Sequence, residues 1–297
     1  MISVITPVYN GEKFVEFCIK VVIDQQCLDV EHIIVDGNST DRTVEIIKKY
    51  ADSYPHIRWI SEQDKGQSDA MNKGIAMVRG EILAILNVDD YYEPNVLNRV
   101  LELFKELPVP SLLVGNCNIW EAKDKLAAVI KPANFNLSHI LQGLNLNNFP
   151  ANPSAYFYHT SLHQQVGLYK VDEHYAMDLD FLLRAVQVAT VKYVDETWGN
   201  WMRTEGTKTV TLWQSFEQGQ QLVDKILRTY RKDLPWLQRW RITIQYELDI
   251  LWNRHLKWRP KYYLKTYLIQ QKNILLALSY KLKNFVEIIR IKFSKYI

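Results

Sequence analysis

The sequence predicts an α/β protein: a doubly wound, mostly parallel sheet flanked by helices, followed by a helical extension. Three observations predict it. Strand-like and helix-like segments alternate four times in the first 90 residues, as parallel strands joined by right-handed crossovers do. The polar clusters TPVYNG, DGNSTD, SEQDKGQSD and NVDD each fall where a strand should end, and ligands of open α/β sheets sit beyond the carboxyl ends of the strands. Finally, 297 residues of which 47% are hydrophobic suffice for a substantial core, in one large domain or two.

The elements follow in order. Ser3 to Val8 is a first strand, and Asn10-Gly11 signals the turn that ends it. Glu12 to Asp24 carries Phe14, Phe17, Ile19, Val21 and Val22 at spacings that suit a helix packed on a sheet. Glu31 to Val35 is the second strand. Ser39 or Thr40 is placed to cap a helix from about Asp41 to Ala51, whose apolar side is Val44, Ile46 and Ile47. Ile57 to Ser61 is a short third strand, and Asp69 to Val78 is helical, closed by Arg79-Gly80. The run Ile82 to Leu86 is apolar on both faces, as a buried parallel strand is, and stops abruptly in Asn87-Val88-Asp89-Asp90. Adjacent carboxylates at such a strand end fit either a bound cation or a solvated turn.

Further on, Phe149 to Ser154 is extended and proline-constrained, Ala155 to Tyr158 reads as a strand and His159 to Val166 as a helix. In Ala176-Met177-Asp178-Leu179-Asp180-Phe181 two acids fall in the first turn of a helix. Residues 212 to 232 form a helix that Pro235 interrupts. From Pro235 to Ile297 there are 13 Lys and Arg against 3 Asp and Glu, a balance of +10 that leaves −7 for the rest. Interleaved Trp and Tyr, and a last helix from about Leu264 to Phe293, suit a segment lying on an anionic membrane surface; a helical pair docked on the main domain and a homodimer interface are the alternatives.

Exclusions narrow the class. Cys18, Cys27 and Cys117 lack metal-ligand spacing and suit a reducing compartment. No apolar run is long enough to span a bilayer, and the strand-like start leaves no room for a signal peptide, so the expected location is cytoplasmic, peripheral to the membrane's inner face. There is no GxGxxG or GxxxxGK[ST], which disfavours the common dinucleotide and P-loop sites, and no nucleic-acid module is visible.

SVITPVYNGEKF, EHIIVDGNSTDRT, SEQDKGQSDAMNKGI, GEILAILNVDD and YAMDLDFLLR occur in an order and spacing that resembles family 2 glycosyltransferases, inverting enzymes of the GT-A fold. The resemblance covers roughly residues 1–210, a nucleotide-binding half 1–95 and an acceptor half 96–210, and leaves 211–297 as the extension. It implies that Thr6, Pro7, Val8 and Tyr9 line the pocket for the nucleotide base and that Asp36 accepts a hydrogen bond from uracil. Asp64-Lys65-Gly66 and Asp69 match the next nucleotide-facing segment, with Lys65 toward the diphosphate or in solvent. Asn87-Val88-Asp89-Asp90 matches a DxD-type motif with Asn87 in place of the first acid; Asp89 lies near the ribose and metal, and Asp90 is the direct ligand of Mn²⁺ or Mg²⁺.

Asp178 matches the catalytic base, with Met177 in place of the usual Glu and Asp180 as the fallback. A helix N-terminus there is expected to keep Asp178 ionised. Arg203 and Lys208 match a loop that clamps the diphosphate, although the family's histidine is missing from it. Trp198 and Trp201 either stack on a sugar or belong to the core. The implied activity is metal-dependent transfer from a nucleotide sugar, a UDP-sugar first, to a hydroxyl of a glycan acceptor in cell-surface polysaccharide synthesis such as capsule or lipopolysaccharide. That acceptor is lipid-linked if the tail binds membrane. A nucleotidyltransferase and a non-catalytic sugar-nucleotide-binding or membrane adaptor stand as alternatives.

Overall fold

The computed structural model describes residues 1–122, 124–143, 149–150, 152–173, 175–203 and 216–251. Four parallel strands, β1 (Ile2–Val8), β2 (Val30–Asp36), β3 (Ile57–Ser61) and β4 (Ile82–Ile85), lie in the order β3-β2-β1-β4. The helices between them are α1 (Val15–Ile23), α2 (Thr43–Ser53) and α3 (Gln67–Met77). Alternation along β1 assigns the layers: Val4 packs with Cys18 and Val22 of α1, whereas Ile5 meets α3, where a Cβ on Gly74 would stand 2.5 Å from Ile5 Cγ2. Helices therefore cover both faces, as predicted.

Several boundaries differ from expectation for local reasons. Helix α1 starts at Val15 rather than Glu12, because the Gly11 carbonyl accepts from Phe14 and Val15 while Glu12 N–H is taken by Asp41. The cap of α2 comes from Asp41, which accepts from Thr43 N–H at 3.0 Å. Ser39 and Thr40 instead stitch the first two loops together, Asn10 N–H donating to Ser39 Oγ at 2.7 Å and Thr40 N–H to Asn10 Oδ1 at 2.9 Å. Helix α3 stops at Met77, and Gly80 serves strand entry: a Cβ there would lie 2.6 Å from the Met1 carbonyl oxygen.

Past β4 come β5 (Tyr91–Tyr92), α4 (Val96–Phe104), β6 (Ser111–Ala122), β7 (Lys125–Ile130) and α5 (Leu137–Leu141). A 3-10 turn, Pro153–Ala155, sits where a simply extended segment was expected. Then follow β8 (Tyr156–His159), α6 (Leu162–Val166), α7 (Met177–Ala185) and β9 (Thr190–Met202). Strand β8 runs antiparallel between β4 and β6, and the path ends β6-β9-β5, with β7 beside β6. The pairing Ile82↔His159, Leu83↔Tyr158 extends to set Tyr156 opposite Ile85. The first residue of β8 thus reaches the edge where β4 gives way to Asn87–Asp90.

Helix α8 (Phe216–Arg231) is held to the domain by Tyr230, which donates to Asp180 Oδ1 at 2.9 Å, and by Arg231, which donates to the Leu141 carbonyl. The chain divides into two compact units, Met1–Ile242 and Thr243–Ile297, and α8 lies in the first. Helix α9 (Trp236–Leu251) carries exposed Trp236, Leu237 and Trp240 in its first half. The expected last helix, 264–293, lies outside the described residues. Among the described residues no helix is long and apolar enough to cross a membrane.

Candidate active site

The carboxyl ends of β1 and β2 place Tyr9 and Gly37 side by side. Tyr9 is 63% exposed, and a Cβ on Gly37 would lie 3.5 Å from its ring and 2.5 Å from Asp64 Oδ2. A side chain at 37 would touch the ring and push the Asp64 carboxylate aside. Asp36, expected to face a ligand, turns inward: it is fully buried and accepts from Ser39 N–H at 3.0 Å, from the Ser39 hydroxyl, and from Ser61 Oγ at 2.6 Å. Its carboxylate builds the loop, the turn-forming role of an Asp after a strand, and Asp64 is the acid left beside Tyr9. Thr6 is likewise a core residue, 2.9 Å from His32 Nε2, and Pro7 is buried. Of the TPVY segment only Tyr9 is open to solvent.

The turn before α3 is shaped by its own acids. Asp64 accepts from Gly66 N–H at 2.8 Å, and Asp69 accepts from Lys65 N–H at 3.0 Å while pairing with Lys73. Asp69 is thereby committed to the loop rather than to a ligand, and the exposed Lys65 side chain projects from it. Asn87 braces the neighbouring strand end, accepting from Gln67 Nε2 and donating to Asp90 Oδ2, both at 2.9 Å. An acid at 87 would set a second anion against Asp90; the amide supplies a donor instead.

Asp89 and Asp90, the two expected metal ligands, have different surroundings. Asp90 is 1% exposed and accepts from Asn87, from Asn152 Nδ2 at 2.7 Å and from Met202 N–H at 3.4 Å. Burial first, then the charge of Asp89, pushes its carboxyl well up. Asp89 is half-buried and also raised by burial, and its own backbone N–H serves its carboxylate. Among the described residues Asp89 is the less satisfied acid of the pair. Among the described residues no three His, Cys, Asp or Glu side chains gather as a metal cage. Mg²⁺ and Mn²⁺ need no such cage, since one carboxylate together with ligand phosphates and water completes an oxygen shell. The donor set fits such an ion at Asp89.

Asp178 lies in the first turn of α7, half-buried, with Tyr156 Oη donating to its Oδ1 at 3.1 Å. Burial pushes its carboxyl up to about 6, partly offset by the tyrosine. Desolvation therefore outweighs the helix dipole that was expected to keep it strongly ionised, and leaves an acid poised near neutral pH. Asp180 is closed off as a fallback base: buried, it is paired with Lys170 at 2.7 Å and Arg184 at 2.9 Å and bonded by Tyr230. Met177 anchors the same turn to α3, its sulfur 3.0 Å from Ser68 Oγ.

Trp198 proves to be core. It is 1% exposed, packs edge-on against Phe157 at 5.8 Å, and fills space so tightly that a Cβ on Gly115 would come within 2.4 Å of its ring. Trp201 packs half-buried against the cluster of Cys117, Ile119, Ile130 and Ala155. Arg203 is exposed beyond β9, its N–H bonded to the Trp120 carbonyl; Lys208 lies outside the described residues. Sequence reasoning named Asp64 within a nucleotide-facing segment but missed Asn152 and Tyr156 as neighbours of the expected site acids. For Tyr156 the signal was present, since strand alternation puts Tyr156 and Tyr158 on one face.

Comparison with known proteins bears on the family and the fold. Chondroitin synthase from Escherichia coli is 32% identical over 120 residues, 40% of this chain and 18% of that protein. The uncharacterized glycosyltransferase EpsJ of Bacillus subtilis is 29% identical over 206 residues, 66% of this chain and 59% of the other. The chain thus spans less than two thirds of the length of either relative. The crystal structure of S. aureus TarS 1-349 in complex with UDP-GlcNAc superimposes with a TM-score of 0.65 at 19% identity, covering 85% of this chain and 73% of that one. That likeness establishes the fold, a GT-A type sheet. A family model described as Glycosyl transferase family 2 matches residues 3–154, just over half the length, and the chain belongs to that family.

Proposed function

We infer that the protein transfers a sugar from a nucleoside diphosphate donor, UDP-linked, to a hydroxyl of a glycan acceptor with inversion at the anomeric carbon. One observation carries the reading: the carboxyl edge of the sheet collects an open aromatic and glycine slot at Tyr9 and Gly37, the less satisfied carboxylate of the pair at Asp89, and a half-buried acid at Asp178 on a helix N-terminus. Asp178 takes the proton of the acceptor hydroxyl as that oxygen bonds to the anomeric carbon. The bond from that carbon to the diphosphate breaks, and its electron pair leaves with the nucleoside diphosphate. A carboxyl near 6 suits this work, being largely ionised at neutral pH yet basic enough to accept a proton. Asp89 would hold Mg²⁺ or Mn²⁺, which when bound supplies positive charge beside the departing diphosphate. Tyr9 and Asp64 flank the base, and Lys65 and Arg203 are the exposed cations available to the phosphates.

Calorimetric titration of the full chain with UDP and with GDP, in Mn²⁺ and again in EDTA, tests the donor. Metal-dependent binding that favours UDP by about tenfold or more, roughly 1.4 kcal/mol, is expected. Equal affinity for both nucleotides, or none for either, would remove the donor assignment.

The basic, aromatic composition of residues 235–297 supports an acceptor held at an anionic lipid surface. Full-length protein should float with vesicles containing anionic lipid and stay behind with zwitterionic ones. Equal partition would detach the acceptor from the membrane.

A further inference from the structure

Beneath Asp178 lies a row of buried hydroxyls that the transfer reaction does not itself use. Tyr156, Tyr158 and Tyr169 are each at most 2% exposed. Tyr158 Oη lies 3.3 Å from Tyr169 Oη and 3.1 Å from His163 Nε2, and His163 Nδ1 lies 3.0 Å from the Gly167 carbonyl oxygen. Tyr156 stacks with Tyr158, ring centroids 6.3 Å apart. Phe181, three residues after Asp178 on the same helix, packs on Tyr158, His163 and Tyr169 with ring centroids 4.9, 5.1 and 4.8 Å apart. The helix that carries the acid is thus bedded on this row.

Donor and acceptor capacity fixes the direction of every bond. A carbonyl only accepts, so His163 Nδ1 carries the ring proton; burial holds the imidazole below its ordinary value, so it is neutral and Nε2 is an acceptor. Tyr158 must donate to Nε2. Its single proton is then occupied, and Tyr169 donates to Tyr158. Tyr156 donates to Asp178 Oδ1 at 3.1 Å, since an ionised carboxylate only accepts.

We propose that Tyr156 is a positioning residue for the base: its hydroxyl, carried on a buried ring stacked with Tyr158, fixes Asp178 Oδ1 and leaves Oδ2 to receive the acceptor proton. This rests on Asp178 being the base. The other ionisable groups near it are accounted for. Tyr158 and Tyr169 face it from β8 and from the loop after α6; Asp180, on its own helix, is closed by Lys170, Arg184 and Tyr230 of α8.

The test is titration of the Asp178 carboxyl in full-length protein carrying ¹³C-labelled aspartate, with the resonance assigned by its loss in Asp178→Asn. The wild-type midpoint should fall near 6. Tyr156→Phe removes a hydrogen bond to the ionised form, so the midpoint should rise by roughly one pH unit, and the acid limb of the transfer rate should rise with it. A purely structural tyrosine would leave midpoint and limb in place, and an unmoved midpoint overturns the proposal. If Tyr156→Phe does not fold, Tyr156→3-fluorotyrosine, a stronger donor on the same ring, should move the midpoint down, and no shift there is equally fatal. A midpoint that moves while the acid limb stays would overturn Asp178 as base, and the positioning role with it, but leave the hydrogen bond itself intact.

Discussion

Asp178→Asn should lower transfer by about 10²–10⁴-fold, the range that a positioned general base contributes, with UDP affinity changed by no more than about twofold. Asparagine is nearly isosteric, and its carbonyl oxygen still accepts from Tyr156, so packing of the first turn of α7 should survive. What it lacks is the ability to take a proton. Asp178 makes no contact with Asp89 or with the turn before α3 among the described residues, so donor binding has no reason to change. Turnover and nucleotide titration on one preparation separate the two quantities. Wild-type turnover in this variant would remove Asp178 as base, and Asp180, already neutralised by two cations and a tyrosine, is no substitute for it. The wild-type rate should itself climb with pH through about 6, because the protonated carboxyl is inactive and the ionised one active.

Asp89 and Asp90 should part company under mutation. Asp89→Asn is expected to abolish the metal response and weaken donor binding in Mn²⁺ by about 10²-fold or more, on the scale of several kcal/mol for a lost metal contact, at nearly unchanged Tm. Asp90→Ala should act through the fold, because it strands the amides of Asn87 and Asn152 and the N–H of Met202. Each buried donor left unpaired costs about 1–3 kcal/mol, and Tm falls roughly 2–4 °C per kcal/mol in a domain of this size. Thermal melts alongside titrations with and without EDTA distinguish the pair. An Asp90→Ala variant with native Tm and no metal response would reverse the assignment.

The first half of the fold was legible because β1, β2 and β4 are short, aliphatic-rich runs buried along their whole length and the turn residues between them are strong local signals. The edge that gathers the site followed from topology alone. What was not legible is which way each polar side chain turns once a strand ends, since the two-residue alternation stops there. Asp36, Asp64, Asp69 and Asp90 all accept hydrogen bonds from the loops around them, a placement that no strand periodicity announces. Likewise Asp178 and Asp180 share one helix turn, and only the cations of Lys170 and Arg184 decide between them. Tyr156 was hidden in a segment that reads as an ordinary buried strand, and its partner arrives from residue 178, a distance no local pattern spans.

The bonds from α8 to Asp180 and Leu141 bear on how this chain can be recombined with its relatives. A chimera that kept the family's matched region and exchanged everything after β9 would discard Tyr230 and Arg231, and with them the clamp on the helix that presents Asp178. The natural seam for such exchanges lies after Arg231, near the division at Ile242. The catalytic cassette is longer than its sequence motifs suggest, and the C-terminal extension becomes interchangeable only beyond that helix.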